Sequence, residues 1–194
     1  MMGVIAMPSE SKERMVQSAA LLFRERGYSG TGFRDVIEHS GAPRGSIYHH
    51  FPGGKAQLAK EAVRYASDVV AARIERVAGE GDPGAMLRTY IAGWRRTLER
   101  SDFRAGCPIV AVAVESHERP ELADAVNDAF ARWEGMFART LRAAGIPRAR
   151  AARLATLTVT SIEGAVVLCR ARRDTKPLDD VGRELEAVIE AAAG

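Results

Sequence analysis

The side chains best suited to chemistry in this sequence lie within residues 41–55, and they are hydrogen-bond donors rather than nucleophiles or metal ligands. Arg44 carries a planar fork of N–H groups that fits a guanine edge or a phosphate. No acidic residue occurs between Ala42 and Lys60. Donors without neighbouring carboxylates are typical of a surface that binds the phosphates and base edges of DNA. The donors are Arg44, Ser46, Tyr48, His49 and Lys55.

The net charge of the chain is concentrated in its first third. The chain has 28 Lys and Arg residues against 25 Asp and Glu residues, a formal net charge of +3. Residues 1–60 hold 8 basic and 5 acidic side chains, whereas residues 61–194 hold 20 of each. All the excess positive charge therefore accompanies the donor-rich stretch, which favours a polyanionic partner for that part of the chain.

Two short helices joined by a glycine-containing turn are predicted to position these donors. One helix is predicted over residues 33–39, followed by a turn at Ser40-Gly41. The next helix is predicted to contain Pro43 in its first turn, where the missing N–H costs nothing. A longer helix over residues 9–26, ended by Gly27, precedes them. This order is typical of a helix-turn-helix unit.

The rest of the chain predicts a larger body of helices, so the expected fold class is all-α. Alanine, leucine, arginine and glutamate are abundant, and alternating β-branched runs are scarce. Gly79-Glu80-Gly81 interrupts the helical pattern. The predicted helices span about 54–78, 83–100, 107–117, 120–144, 148–172 and 178–192.

The sequence carries no motif for catalysis or metal binding. Cys107 and Cys169 match no CxxC or metal-ligand spacing, and the adjacent His49 and His50 would point to different faces of a helix. Gly54-Lys55 is followed by alanine, not by the Ser or Thr of a P-loop. We therefore expect no catalytic residue, no metal and no cofactor.

The N-terminus predicts neither export nor membrane insertion. Residues 1–8 lack the basic segment of a signal peptide, and no run approaches the ~20 apolar residues of a membrane span. Two widely separated cysteines fit a reducing compartment. The expected location is the cytoplasm, with no membrane partner.

The spacing of residues between Gly27 and Leu58 resembles the DNA-binding signature of the TetR family of transcriptional regulators. The resemblance is specific, because many positions match at fixed spacing within one window. The turn Pro52-Gly53-Gly54 is longer by one residue than the family's commonest form. Together with residues 103–109, it resembles the LmrA/YxaF-like branch. The matching positions are Gly27, Tyr28, Thr31, Asp35, Val36, Gly41, residues 45–51, Lys55 and Leu58.

The resemblance implies two domains and a set of DNA contacts. Residues 1–55 would form a three-helix helix-turn-helix DNA-binding domain, and residues 56–194 a helical effector-binding and dimerisation domain. The third helix would enter the major groove. Gly32 departs from the family pattern, since a Ser or Thr usually caps the second helix there. The implied DNA contacts are Thr31, Arg34, Pro43, Arg44, Gly45, Ser46, Tyr48, His49 and Lys55.

Single polar residues among apolar ones in the body are consistent with either core packing or a ligand pocket. The resemblance favours a pocket, because members of the family bind small, often apolar effectors between body helices. Glu163 is the only charge between Arg153 and Arg170, and a buried carboxylate more often has a structural partner than a ligand. The same holds for Glu115, and Cys107 lacks a resolving cysteine for a redox role. The candidate lining residues are Trp94, Phe103, Cys107, Val110, Val114, Trp133, Phe137 and Glu163.

The resemblance implies a homodimeric repressor that a small, largely apolar effector releases from a palindromic double-stranded DNA operator. The dimer interface would join the helices at residues 148–172 and 178–192 of two subunits. Two alternatives stay open: a DNA-binding regulator without a small-molecule effector, and a helical enzyme, which no motif supports. The candidate interface residues are Leu157, Ile162, Leu168, Leu178, Val181, Leu185 and Val188.

Overall fold

The predicted all-α fold is confirmed by the computed structural model, which describes residues 10–78, 82–116 and 119–193. These residues form nine α-helices and no strand. The predicted start of the first helix at Ser9 and the break at Gly79-Glu80-Gly81 lie outside the described residues. The helices are α1 (Glu10–Arg26), α2 (Phe33–Ser40), α3 (Ser46–His50), α4 (Gly54–Ala78), α5 (Pro83–Arg100), α6 (Pro108–Ala113), α7 (Pro120–Ala143), α8 (Arg148–Arg172) and α9 (Lys176–Ala193).

Local sequence explains where several helices begin and end. α1 ends at Gly27, whose left-handed φ of +80° suits glycine and whose N–H is donated to the Phe23 carbonyl at 2.9 Å. α5 begins after Asp82, whose carboxylate accepts the N–H of Gly84 at 2.8 Å. Pro83 occupies the first position of α5, where no N–H is needed.

Two helices differ from their predicted extents. α3 begins at Ser46 rather than at Pro43, because the residues between them form a turn in which the Pro43 carbonyl accepts the Ser46 backbone N–H at 3.0 Å. α6 ends at Ala113 rather than near residue 117, because the backbone N–H of Glu115 bonds three residues back, as in a 3₁₀ turn, at 3.2 Å. The other described boundaries agree with prediction within two residues.

The first three helices and the start of α4 share one apolar core. α3 is only five residues long, so tertiary packing rather than helix propensity holds it in place. Its one buried residue, Ile47, points into the core, which leaves the polar side of α3 outside. The buried members of this core include Met15, Ala19, Phe23, Val36, Ile47, Phe51, Leu58 and Ala62.

The body is built from the long helices. α7 packs against α4 and α8, and α9 packs against α5 and α8. At the centre, the Tyr90 ring makes edge contacts with Trp94, Trp133 and Phe137, at centroid distances of 6.4, 6.1 and 5.5 Å. The indole N–H of Trp133 is donated to the Ser67 carbonyl at 3.4 Å, which fixes α7 on α4.

α8 has two different apolar faces. Among the described helices it is the one long and apolar enough to cross a membrane, but half of it is buried in the body, as in the core helix of a globular protein. Its outer face exposes large apolar side chains at Leu157, Val167 and Leu168. Three predicted interface residues are instead core residues of their own subunit, because the inner faces of α8 and α9 pack on the body. They are Ile162, Leu178 and Leu185.

Candidate nucleic-acid interface

The turn between α2 and α3 sets the direction in which α3 presents its side chains. Gly41 follows α2 with a left-handed φ of +63°, a conformation that glycine adopts without strain. Ala42, Ile47 and Phe51 are buried and fix the turn and α3 on the core. The opposite side of α3 therefore faces outward.

Most of the predicted DNA contacts are exposed, on α2, on α3 or in the turn between them. Tyr48 is 68% exposed. Its ring packs edge-on against the Phe33 ring, with the two centroids 5.5 Å apart, which orients the Tyr48 hydroxyl without enclosing it. Ser46 is half-buried, and its hydroxyl is donated to the Pro43 carbonyl at 2.7 Å. Its lone pairs can still accept a hydrogen bond. The exposed members of the predicted set are Arg34, Pro43, Arg44, Gly45, Tyr48 and His49.

The predicted phosphate contact by the Thr31 side chain is wrong. Thr31 is 1% exposed, and its hydroxyl is donated to the Gly27 carbonyl at 3.0 Å. Threonine at this position therefore fixes the loop between α1 and α2. Gly32 is the N-cap of α2, as expected, and Asp35 supports the cap by accepting the Gly32 N–H at 2.7 Å. Asp35 also accepts an Arg26 N–H at 3.3 Å.

Lys55 and Arg119 both contact the Tyr28 ring, where the first helices meet the body. The Lys55 ammonium lies 4.3 Å from the centroid of the Tyr28 ring, and the Arg119 guanidinium lies 5.2 Å from the same centroid. Burial lowers the pKa of Lys55, and the nearby Glu115 carboxylate opposes that change. A phosphate contact by this half-buried lysine stays a prediction.

Glu115, just after α6, binds the turn that follows α1. Its carboxylate accepts the backbone N–H groups of Tyr28 and Ser29, at 3.0 and 2.9 Å, and the Ser29 hydroxyl. Burial opposes ionisation, but the hydrogen bonds from Ser29 and Tyr28 outweigh it and hold the pKa of Glu115 below its usual value. The structural role predicted for Glu115 is confirmed: it ties the body to the DNA-binding helices.

A cavity of about 280 Å³ lies between α1, α4, α5 and the segment that begins α6. Of the predicted lining residues, only Trp94 borders it. Val114 is 70% exposed and faces away from the core. The lining residues are Gln17, Ala20, Leu21, Arg24, Tyr65, Ala66, Val69, Val70, Arg73, Ile74, Thr89, Tyr90, Gly93, Trp94, Thr97, Gly106 and Pro108.

The other predicted pocket residues lie outside this lining for a common reason: they serve the core and the loop before α6. Trp133 and Phe137 are buried in the aromatic cluster, and Cys107 is buried. Phe103 and Val110 are partly buried and pack on the same core. No periodicity in the sequence singles out the α1 and α4 residues that form the cavity instead.

Glu163 lies behind the cavity wall. Its carboxylate accepts the Tyr90 hydroxyl at 3.0 Å, and its second oxygen has no partner among the described residues. Burial raises the pKa of Glu163 from 4.5 to about 7, against the opposing effect of hydrogen bonds from Tyr90 and Cys107. Burial also raises the pKa of the Cys107 thiol, which argues against a reactive thiolate.

Two parts of the chain match families of known regulators. Residues 16–62 match the family described as bacterial regulatory proteins, tetR family. Residues 83–184 match the family described as transcriptional regulator LmrA/YxaF-like, C-terminal domain. The chain belongs to the TetR family. Its relatives in that family are transcriptional regulators, so this TetR-family protein is a DNA-binding transcriptional regulator and not an enzyme.

Individual relatives extend over nearly the whole TetR-family chain. It is 48% identical over 184 residues to the HTH-type transcriptional regulator Rv0196 of Mycobacterium tuberculosis H37Rv, covering 92% of this chain and 93% of that protein. It is 32% identical over 171 residues to the HTH-type transcriptional regulator LmrA of Bacillus subtilis 168, covering 87% and 91%.

Solved structures agree with this assignment. A TetR transcriptional regulator from Chloroflexus aurantiacus is 33% identical and superimposes with a TM-score of 0.76, covering 93% of this chain and 94% of that one. A TetR transcriptional regulator from Legionella pneumophila has a TM-score of 0.85 at 19% identity, covering 94% and 99%, and so shares the fold.

Replacing Glu115 by glutamine is expected to destabilise this TetR-family protein by about 1–2 kcal/mol, because glutamine has one acceptor oxygen where the carboxylate serves three donors. The pKa of Glu115 is lower in the folded protein than in the unfolded chain. The stability that Glu115 contributes is therefore present above its unfolded-state pKa and is lost as the pH falls through its folded-state pKa. The measurement is urea unfolding at neutral and acidic pH.

Glu134→Gln is the matched control for Glu115→Gln, since Glu134 lies on α7 and makes no ion pair within the described residues. It removes the same charge without touching the turn after α1. Equal unfolding free energies for the two variants at neutral pH would show that the Glu115 hydrogen bonds contribute nothing.

Proposed function

We propose that this regulator is a cytoplasmic homodimeric repressor that binds a palindromic operator and is released from it by a small, largely apolar effector. The observation that carries the proposal is the position of the cavity, which is bordered by α1 of the DNA-binding unit as well as by α4 and α5 of the body. An occupant of this cavity would contact both units at once.

The outer face of α8 supports the dimer. Leu157, Val167 and Leu168 are 44%, 53% and 45% exposed, and three large apolar side chains exposed on one helix favour a surface that a partner covers. A Cβ added at Gly164 would meet nothing within 4 Å, so a helix of a second subunit could approach closely there. Val181 and Val188 of α9 are partly buried and extend this surface.

Hydrogen bonds give the effector a physical route to the DNA-binding helices. The Gly106 N–H, at the cavity edge, is donated to the Arg24 carbonyl of α1 at 2.8 Å. Farther along the same segment, Glu115 holds the turn after α1. An effector that binds one arrangement of these contacts more tightly than the other would shift the population of that arrangement and change the separation of the two α3 helices.

The proposal predicts an inverted repeat in DNA selected from random duplexes by the purified protein, with half-site centres about 34–36 Å apart or at a multiple of that distance. Leu168→Glu would place two charges in the interface and is expected to convert the dimer to a monomer with at least about 100-fold weaker DNA binding. Analytical ultracentrifugation and fluorescence anisotropy measure the two effects.

Ala123→Glu is the control, since Ala123 is exposed on α7 and is not one of the predicted interface residues. Recovery of single, non-repeated sites, or a dimer in Leu168→Glu as stable as that of the control, would contradict the dimeric arrangement. If no compound that occupies the cavity alters DNA binding, the proposal that an effector releases the DNA is contradicted.

A further inference from the structure

The cavity has two charged lining residues, and both are arginines. Arg24 comes from α1 and Arg73 from α4. Within the described residues neither guanidinium forms an ion pair, and the Nε of Arg24 is buried without a hydrogen-bond partner. Arg73 extends across Gly93, because a Cβ built on that glycine would lie 3.6 Å from its Nη1. The two charges thus border the same space.

This arrangement differs from that of arginines which bridge other helices of the protein. Arg95 pairs with Asp179, Arg132 with Asp68, and Arg173 with both oxygens of Asp102. Those guanidiniums are neutralised within the chain, whereas the cavity arginines are not.

The positive charges of the two cavity arginines also repel each other. Burial lowers the pKa of Arg24, the neighbouring Glu25 opposes that change, and the positive charge of Arg73 lowers it further. Glu25 is not part of the cavity lining. An anion bound between the two guanidiniums would offset this repulsion.

A second buried donor without a hydrogen-bond partner belongs to another lining residue. Trp94 borders the cavity and is 7% exposed, and its indole N–H has no acceptor among the described residues. Buried donors of this kind are normally satisfied, so an acceptor on an occupant would complete the site. The rest of the lining is mainly apolar, with contributions from Ala20, Val70 and Ile74.

We propose that the effector is an apolar molecule that carries a single carboxylate, with the carboxylate bound between Arg24 and Arg73 and the apolar part packed against Trp94. This inference rests on the proposed function, since it names the chemical class of the effector. Planar guanidiniums bind carboxylates through paired hydrogen bonds. An apolar cavity of about 150 Å³ holds benzene, so the space here suits a bicyclic aromatic acid or a medium-length acyl chain.

The test uses matched pairs of probes that differ only in charge: 2-naphthoate with 2-naphthamide, and decanoate with decanamide. At saturating concentration the better carboxylate is expected to raise the Tm of the wild-type protein by about 5–10 °C. Its amide is expected to have little effect. Arg24→Gln and Arg73→Gln are each expected to weaken carboxylate binding by about 10- to 100-fold in calorimetry.

Arg96→Gln is the matched control, because Arg96 is exposed on α5 and is not part of the lining. Arg73→Gln alters an exposed side chain, so it keeps the test valid if Arg24→Gln fails to fold. Equal shifts by carboxylates and amides, no binding by either carboxylate, or unchanged binding in both cavity variants would overturn the inference.

Operator release, measured by anisotropy with the same probes, separates this inference from the proposed function. Binding that depends on Arg24 and Arg73 but leaves DNA bound would support the anion site and contradict effector-controlled repression. Release of DNA by the amides as readily as by the acids would support effector control and contradict the proposed effector class.

Discussion

Arg44→Ala is expected to weaken binding to the operator by about 100-fold while leaving the fold and the oligomeric state unchanged. Arg44 is exposed in the turn before α3 and is not ion-paired within the described residues, so its removal costs the free protein little. A bidentate arginine–guanine contact contributes about 1–3 kcal/mol to discrimination. Two such contacts, one from each subunit of the proposed dimer, would give an effect of this size.

The assay is fluorescence anisotropy with the selected operator and with a scrambled duplex, at several salt concentrations. Arg96→Ala makes the same change of charge on a distant, exposed part of α5. Arg34→Ala is expected to weaken binding to both duplexes by a similar factor. It is also expected to reduce the salt dependence of DNA binding, as the loss of a phosphate contact does. Arg44→Ala and Arg96→Ala with the same operator affinity would show that the turn before α3 does not read DNA.

Glu163→Gln is expected to stabilise the protein by about 3 kcal/mol at pH 8 and to have little effect at pH 5. In the folded state Glu163 keeps its proton up to a pKa of about 7, whereas the unfolded chain releases it near 4.5. The wild-type protein therefore loses stability as the pH rises between these values, since its folded state binds more protons. Glutamine resembles the protonated acid and still accepts the Tyr90 hydroxyl.

Urea unfolding of both proteins at matched concentration across this pH range measures the effect. Glu99→Gln, on an exposed position of α5, controls for the change in net charge. A difference between Glu163→Gln and wild type that stays constant from pH 5 to pH 8 would show that Glu163 does not titrate as its buried position requires.

The DNA-binding half could be predicted well because its signals are local. Gly27 and Gly41 end helices through left-handed backbone, and Ile47 and Phe51 fix a short helix from within. The errors are also local. Pro43 is compatible with a first helical turn and with the turn that it actually forms, and Thr31 carries a hydroxyl whose direction depends on the loop around it.

The body could be predicted less well, because its sites depend on which face of each helix meets which neighbour. α8 is apolar on two sides, so sequence alone does not tell that Ile162 packs inside its own subunit while Leu168 is exposed. Arg24 and Arg73 each look like surface arginines in sequence. Only the packing of α1, α4 and α5 brings them to one cavity.

The shared wall of that cavity has a consequence for protein engineering. Chimaeras of related regulators joined within α4 would inherit Gln17, Leu21 and Arg24 from one parent, and Thr89, Trp94 and Thr97 from the other. If the cavity is the effector site that we propose, exchanging only the body would keep the operator but would combine the cavity linings of two parents, so the effector preference would match neither parent. A biosensor that retains the full preference of its parent would need residues 17–24 of α1 transplanted together with the body.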